Sequence, residues 1–588
     1  MRYLAIFAIS ITLSFGAANP PIQDRTGTGL VLSSHELANK IGKEVLDKGG
    51  NAIDAAVAVG YALAVVHPAA GNIGGGGFAV IHLANGENTT LDFREMAPLK
   101  ASRDMYLDSK GEIIKDASTI GYLAAGVPGT VKGMSAMLDR YGTMKLKDLM
   151  APAIKLAEKG YLINDRQEQT MLEAKDMFKE FPSSSKYFLK KDGSTYKSGD
   201  LFVQKDLAKT LKLIAKEGPD AFYKGKIADL IAADMAKNKG IITKEDLAQY
   251  QAIWRKPVEG TYRGYDIISM SPPSSGGAHI IEILNIMENA NIENLGFASS
   301  KTLHIMAEAM RQAYADRSEY MGDPDFVKIP LDKLTSKEYA KEIYAKIPKD
   351  KALPSSKVKP GLGQIHEGHN TTHYSVLDSK GNAVSITYTI NASYGSGATV
   401  EGAGFLLNDE MDDFSIKPGV PNLYGLVGGE ANAIEPKKRP LSSMSPTIIL
   451  KDGKVFMVVG SPGGSRIITT VLQVISNVID HKKDGKVFMV VGSPGGSRII
   501  TTVLQVISNV IDHKMDISTA VESPRFHMQW LPDEIRTEPF GIIKDVQNNL
   551  EKMGYKITKE PYMGDVNAIM VDPKTGKIIG SMDTRKEF

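Results

Sequence analysis

Residues 55–66, Ala-Ala-Val-Ala-Val-Gly-Tyr-Ala-Leu-Ala-Val-Val, are apolar at every position around a helical turn, so this helix has no face to offer water. It is shorter than the roughly 20 residues a membrane span needs. The place left for it is the interior of a layered fold, covered on all sides. Asn51 stands where a helix cap belongs, and His67-Pro68 stops the helix. Just upstream, Ser33-x-x-Glu36 has capping-box spacing and opens a helical stretch through Lys48, closed by Gly49-Gly50. Just downstream, Gly71-Asn72-Ile73-Gly74-Gly75-Gly76-Gly77 leads into strand-like Phe78-Ala79-Val80-Ile81. A phosphate cradle needs the order strand, loop, helix and a following Gly-Lys-Ser/Thr; this run has neither, so it reads as close backbone packing.

The rest of the chain suits a large layered domain: 588 residues, 42% hydrophobic and 23% charged. A formal net charge of +2 gives no general attraction to nucleic acid or anionic lipid. The absence of cysteine removes disulfides, thiol nucleophiles and sulfur ligands. At the start, Arg2, an apolar run over 3–15 and Gly16-Ala17-Ala18 before Asn19 form a signal peptide over 1–18, which predicts export to the periplasm or outside the cell. The middle, from about 126 to 322, alternates helical segments with Gly/Pro punctuation and reads as scaffold with little visible chemistry. Residues 347–370, rich in Lys, Pro, Ser and Gly, read as a mobile linker; strand signals follow at Thr372-His373-Tyr374-Ser375-Val376 and over 383–390.

Residues 451–482 and 483–514 are identical, each copy a strand, a Ser-Pro-Gly-Gly-Ser loop and an amphipathic helix. Two copies are too few for a solenoid. One unit is expected to fill the native strand and helix positions while its twin loops out and exposes an apolar face. Copy one keeps the tight turn at Lys451-Asp452-Gly453, which favours it slightly because local hairpins form readily; copy two keeps the short connection into Met515-Asp516-Ile517.

The junction Asn370-Thr371-Thr372 joins a flexible polar segment to a strand, the arrangement that self-cleavage needs. Attack by the Thr371 hydroxyl on the Asn370 carbonyl, followed by ester hydrolysis, would leave an α-amine beside that hydroxyl. Such an amine titrates at about 7.7–8.0 in model peptides, so one residue would hold both nucleophile and base. Alone, Thr-Thr at a strand start is only β-propensity.

The surrounding motifs carry more. Thr371-Thr372-His373-Tyr374-Ser375-Val376 is followed by Gly381-Asn382-Ala383-Val384 and Thr387-Tyr388-Thr389-Ile390-Asn391. Asn408-Asp409-Glu410-Met411-Asp412-Asp413-Phe414, Arg439-Pro440-Leu441-Ser442-Ser443-Met444-Ser445-Pro446 and Gly460-Ser461-Pro462-Gly463-Gly464 come next, with Asp92-Phe93-Arg94-Glu95 and Gly126-Val127-Pro128-Gly129 upstream. In these the chain resembles the γ-glutamyltranspeptidases over nearly its whole mature length.

The resemblance implies a four-layer αββα sandwich of the N-terminal-nucleophile hydrolase type. A large subunit over 19–370 and a small catalytic subunit over 371–588 would arise by cleavage between Asn370 and Thr371. Thr371 is the implied nucleophile, Thr389 orients its hydroxyl, and Asn391 lies at the end of that strand near the same centre. Gly463 and Gly464 (or Gly495 and Gly496 in copy two) supply oxyanion N–H groups. Glu410 and Asp413 take the substrate ammonium, while Arg94, Ser442 and Ser443 take its carboxylate; without the resemblance these charges read as a solvated acidic turn and a surface arginine. Residues 417–438, with Tyr424, resemble a lid that favours small γ-glutamyl compounds such as glutathione and glutamine over polymers. Acceptors would be water, amino acids or peptides, and no cofactor is implied. His366, His369 and His373 suggest a metal, but their placement on a linker and across the scission point fixes no ligand geometry. Asp583-Thr584-Arg585 lacks the proline the family tends to place between Asp and Arg, a departure confined to the tail. Alternatives are a same-fold amidase acting on poly-γ-glutamate or cephalosporin side chains, and an unprocessed, inactive exported protein.

Overall fold

Two sheets packed face to face, with helices on both outer sides, form the α/β fold of the chain. The computed structural model describes residues 22–290, 292–295, 299–358, 372–420, 422, 427–451, 453–459, 490–492, 517–528, 530, 533–539, 541–559, 567–571 and 578–582. The first sheet has six antiparallel strands in the order Gly29–Ser33, Thr372–Asp378, Ala383–Thr389, Gly76–His82, Asn88–Phe93 and Ile253–Arg255. The second has eight: Ile22–Gln23, Ile578–Met582, Asn567–Val571, Val490–Gly492, Lys454–Val459, Thr447–Lys451, Tyr265–Ser269 and Val258–Tyr262.

Side-chain alternation along the first sheet divides the interior in two. Val31, Ala79, Ile81, Val376 and Ile386 join the helix Ala52–Val66 in one core. Leu30, Leu32, Phe78, Val80 and Leu377 turn the other way and meet Ile267, Ile448 and Ile449 of the second sheet in another. Helices Gly276–Glu288, Ser300–Tyr320 and Lys337–Lys346 close the far side. Every residue of Ala52–Val66 is buried, as its all-round apolar sequence requires, and Asn51 caps it through a capping box with Asp54.

Four sequence expectations are corrected. The helix Glu36–Asp47 is capped by His35, whose ring accepts from the Leu37 N–H; Ser33 instead ends a strand, its backbone paired with Tyr374. The segment expected to be a mobile linker is docked over its first part. Ser355 donates its N–H to Asp533 at 2.9 Å and its hydroxyl to the Trp530 carbonyl at 2.5 Å, and the Trp530 indole donates to the carbonyls of Ser355 and Val358. Partners distant in sequence thus hold a segment that has few apolar residues of its own; 359–370 lie outside the described residues. The middle is more than helical scaffold: Val258–Tyr262 and Tyr265–Ser269 form one edge of the second sheet.

The fourth correction concerns the repeat. The strand of copy one forms the expected hairpin with Thr447–Lys451, yet copy two does not yield the sheet. Its Val490–Gly492 is inserted as an additional strand, parallel to copy one at Val459↔Val491 and antiparallel to Asn567–Ile569 on its other side. By entering the sheet the strand gives backbone groups ladder partners, which looping out does not do. Excising 483–514 or 451–482 produces one and the same chain, in which Lys454–Val459 can meet Asn567–Val571 directly. That chain is expected to be more stable than the parent, by about 1 kcal/mol for each ladder bond gained, and so to melt higher. A lower melting point would mean that the inserted strand has become part of the fold's stability.

Candidate active site

Antiparallel pairing of Thr372 with Tyr388 and of His373 with Thr387 places Thr389 at the end of its strand, beside the entry of the Thr372 strand. Thr389 is 2% exposed, and its hydroxyl accepts the Asn391 N–H at 2.8 Å. Asn391 has a left-handed backbone (φ 72°), a conformation asparagine tolerates better than most residues. Its amide donates to the Asp409 carbonyl at 3.0 Å, and Asp409 accepts the Ala392 N–H at 2.9 Å. This bond ties the end of the Thr389 strand to the acidic turn Glu410–Asp413.

The glycine run is what permits so close a junction. A Cβ on Gly75 would lie 2.0 Å from the Thr389 carbonyl oxygen, and one on Gly74 would lie 2.1 Å from that of Leu406. Asn72 bridges the two walls, accepting from the Gly75 N–H at 2.9 Å and donating to the Thr389 carbonyl at 2.9 Å. Asn408 does the same one layer on, donating to the carbonyls of Gly74 and Gly126 and accepting from the N–H groups of Gly126 and Glu410.

Arg94 is fully buried at the centre of an acidic cluster. Its two terminal nitrogens donate to Glu410 and to Asp413, Glu95 lies 3.5 Å away, and its Nε donates to the Pro440 carbonyl at 3.3 Å. Burial opposes the guanidinium charge, but the neighbouring carboxylates outweigh it and hold its pKa above the usual range. Burial also raises the pKa of Glu410 and Asp413, against the pull of Arg94, and pushes Glu95 up to about 7. The sequence reading assigned Arg94 to one end of a substrate and Glu410 with Asp413 to the other; the structure brings the three together as one ion-paired cluster. The Arg94 backbone is clamped as well, its carbonyl accepting from Tyr250 at 2.8 Å and from Arg439 at 3.0 Å.

Ser442 and Ser443 form a buried turn next to Pro440. The Ser442 N–H donates to the Pro273 carbonyl at 2.9 Å, and its carbonyl accepts both the N–H and the hydroxyl of Ser275. Among the described residues the buried Ser443 hydroxyl has no hydrogen-bond partner. His373 is engaged within the sheet with Thr387 and Ser375, and burial lowers its pKa to about 3, which leaves it neutral.

Asn370, Thr371, Tyr424, Gly463, Gly464, Gly495, Gly496, His366 and His369 lie outside the described residues. Sequence reasoning passed over Asn72, Asn408, Glu95 and Arg439 as site-building residues, although each stands inside or beside a quoted motif. It also passed over Ser275 and Arg317, for which the helical pattern gave no signal.

Two sheets back to back between helices, with the Thr389 strand end beside the buried Arg94 cluster, define a hydrolase architecture of the N-terminal-nucleophile type. A cephalosporin acylase from Bacillus halodurans superimposes with a TM-score of 0.80 at 26% identity, over 99% of this chain and 98% of that one. A γ-glutamyltranspeptidase chain from Helicobacter pylori matches at 65% identity and a TM-score of 0.57, covering 59% of this chain and 99% of its own length. The Escherichia coli K12 glutathione hydrolase proenzyme is 50% identical over 95% of this chain and 91% of its own. The family model described as gamma-glutamyltranspeptidase matches residues 38–484 and 481–588, two segments that meet at the boundary between the repeat copies. The chain belongs to the γ-glutamyltranspeptidase family, and it is an enzyme of that type.

Proposed function

We propose that the chain is exported with loss of 1–18, cleaves itself between Asn370 and Thr371, and then hydrolyses and transfers the γ-glutamyl group of glutathione, glutamine and related amides. The observation that carries this reading is the convergence, at one end of the first sheet, of Thr389 with the Arg94 cluster through the hydrogen bonds of Asn391 and Ala392 to Asp409. One further step of the register that pairs Thr372 with Tyr388 would set Thr371 opposite Thr389. The share of the chain matched by the Helicobacter pylori chain agrees with a large subunit over 19–370. Among the described residues no helix is long and apolar enough to cross a membrane.

On this reading the Thr371 amine takes the proton of its own hydroxyl, and the oxygen attacks the γ-carbonyl. Paired glycine N–H groups of one Ser-Pro-Gly-Gly-Ser loop stabilise the developing oxyanion. The amine product leaves with a proton, and water or an acceptor amine resolves the ester. Among the described residues Glu410 keeps one buried carboxyl oxygen without a hydrogen bond, an acceptor that a substrate ammonium can meet.

The likeness to a cephalosporin acylase supports a second reading, an amidase for larger side-chain amides. Turnover of a γ-glutamyl anilide set beside a glutaryl amide and a γ-glutamate polymer separates the two. Intact mass before and after incubation should show two fragments divided at 370/371. A continuous chain that still releases aniline would overturn the self-cleavage mechanism.

A further inference from the structure

The edge strand Gly29–Ser33 pairs with Thr372–Asp378 only as far as Ser33 opposite Tyr374, and the chain then turns into the helix Glu36–Asp47. On the other flank the ladder runs two residues further, to Thr372 opposite Tyr388. Thr372 and His373, the first two residues after position 371, therefore have a strand neighbour on one side and a strand end on the other. What meets Thr372 on that open side is a side chain. The Ser34 and Thr372 hydroxyls lie 3.1 Å apart, and among the described residues neither has another hydrogen-bond partner. Thr372 is fully buried, so its hydroxyl has no easy substitute for this bond.

Ser34 is itself held from both directions along the chain. Ser33 is fixed by the ladder, and its hydroxyl donates to Asn39 at 2.6 Å; His35 caps the helix, its ring accepting the Leu37 N–H at 3.2 Å. Fraying begins where a strand end loses its ladder on one flank, and the hydroxyl bond stands at that point. Ser34 also lines a small cavity with His35, His67, Asn164 and Arg166, so water can take the place of a deleted hydroxyl at little cost to folding.

We propose that Ser34 is a positioning residue for the threonine junction, its hydroxyl holding Thr372 and, through it, the peptide at 370/371 in the geometry for attack. The inference rests on the self-cleavage reading and deepens it. Thr371 is joined to Thr372 by one peptide bond, so a rotation of the strand end carries the attacking hydroxyl with it. Such attack tolerates little displacement: a misplacement of about 1 Å can cost about a hundredfold in rate. The same strand end carries the nucleophile during turnover, so one bond between hydroxyls serves both steps. On the proposed division Ser34 lies in the large subunit and Thr372 in the small one, and scission turns the bond into a tie between the two fragments.

The test follows scission of freshly synthesised precursor on a denaturing gel, together with γ-glutamyl anilide turnover and melting temperature, for parent, Ser34→Ala, Ser34→Thr, Thr372→Val and the double variant Ser34→Ala with Thr372→Val. Ser34→Ala is expected to slow scission by roughly tenfold and to lower kcat by a similar factor with KM within about twofold, since the substrate head is bound elsewhere. Its melting temperature should stay within about 2 °C of the parent. Ser34→Thr keeps the hydroxyl and should restore both rates. Thr372→Val should match Ser34→Ala, and the double variant should be no slower than either, as for the two ends of one bond. Scission at the parent rate in Ser34→Ala, losses that multiply in the double variant, or a slowing that follows the melting temperature and is not restored by threonine overturns the assignment. If Ser34→Ala yields no soluble chain, Thr372→Val set against the parent makes the same comparison. A parent that never divides at 370/371 refutes self-cleavage itself, an outcome distinct from any difference between variants.

Discussion

An alanine at position 371 is expected to give one uncut band on a denaturing gel and no measurable γ-glutamyl turnover, a loss on the order of a millionfold in kcat, as for removal of a covalent nucleophile. Both effects come from one oxygen. On the proposed mechanism the hydroxyl attacks the Asn370 carbonyl to break the chain, and the same hydroxyl later carries the acyl group. Thr371→Ser keeps the oxygen and is expected to process and turn over at reduced rates, because the lost methyl frees the side chain to leave the reactive rotamer. On the proposed mechanism Thr389 orients this oxygen; Thr389 is buried, and the Gly75 and Asn72 contacts hold its backbone within close reach of the glycine loop. Normal processing of the alanine variant would move the nucleophile elsewhere.

Arg94→Met is expected to lower stability by about 3–5 kcal/mol, the usual result of removing one member of a buried ionic cluster. Glu95, Glu410 and Asp413 would remain buried with no cation in contact. The sign with pH follows from their raised values. A carboxyl with a folded pKa above its unfolded one favours folding below the unfolded value and loses that contribution as pH rises through the folded one. Glu95, at about 7 in the parent, is held down by Arg94 against burial, so its pKa must climb further when the guanidinium goes. The melting-point deficit of the variant should therefore be larger at pH 8 than at pH 6. Adding Glu410→Gln to Arg94→Met should return part of the loss. A deficit that is flat with pH, or absent, would show that the three acids are not held by this guanidinium.

Much of the candidate site can be read along the chain because its chemistry lies in short contiguous motifs. Arg94, Asn391, Glu410, Asp413, Ser442 and Ser443 are each named by neighbours one to four residues away, and tertiary structure adds only their convergence. The buried helix Ala52–Val66 is legible for a similar reason: a stretch with no polar face has one kind of destination. Residues that act through a distant partner leave no such trace. Arg317 sits in an ordinary helical pattern, and only the approach of Ser275 and Ser442 sets it apart from a solvated charge. The first part of the expected linker, 347–358, looks mobile because its own composition is polar, yet Trp530 and Asp533, far along the chain, supply its hydrogen bonds.

From its order of residues alone the chain determined its family pattern and its buried helix, since each is written in local periodicity or contiguous motif. Only the tertiary structure decided that Arg94 pairs with Glu410 and Asp413, and that copy two of the repeat enters the sheet beside copy one. Both outcomes depend on which buried charges and unpaired strand edges meet once the layers close. Electrostatic pairing and strand pairing at that range are matters of distance in space, on which separation in sequence is silent.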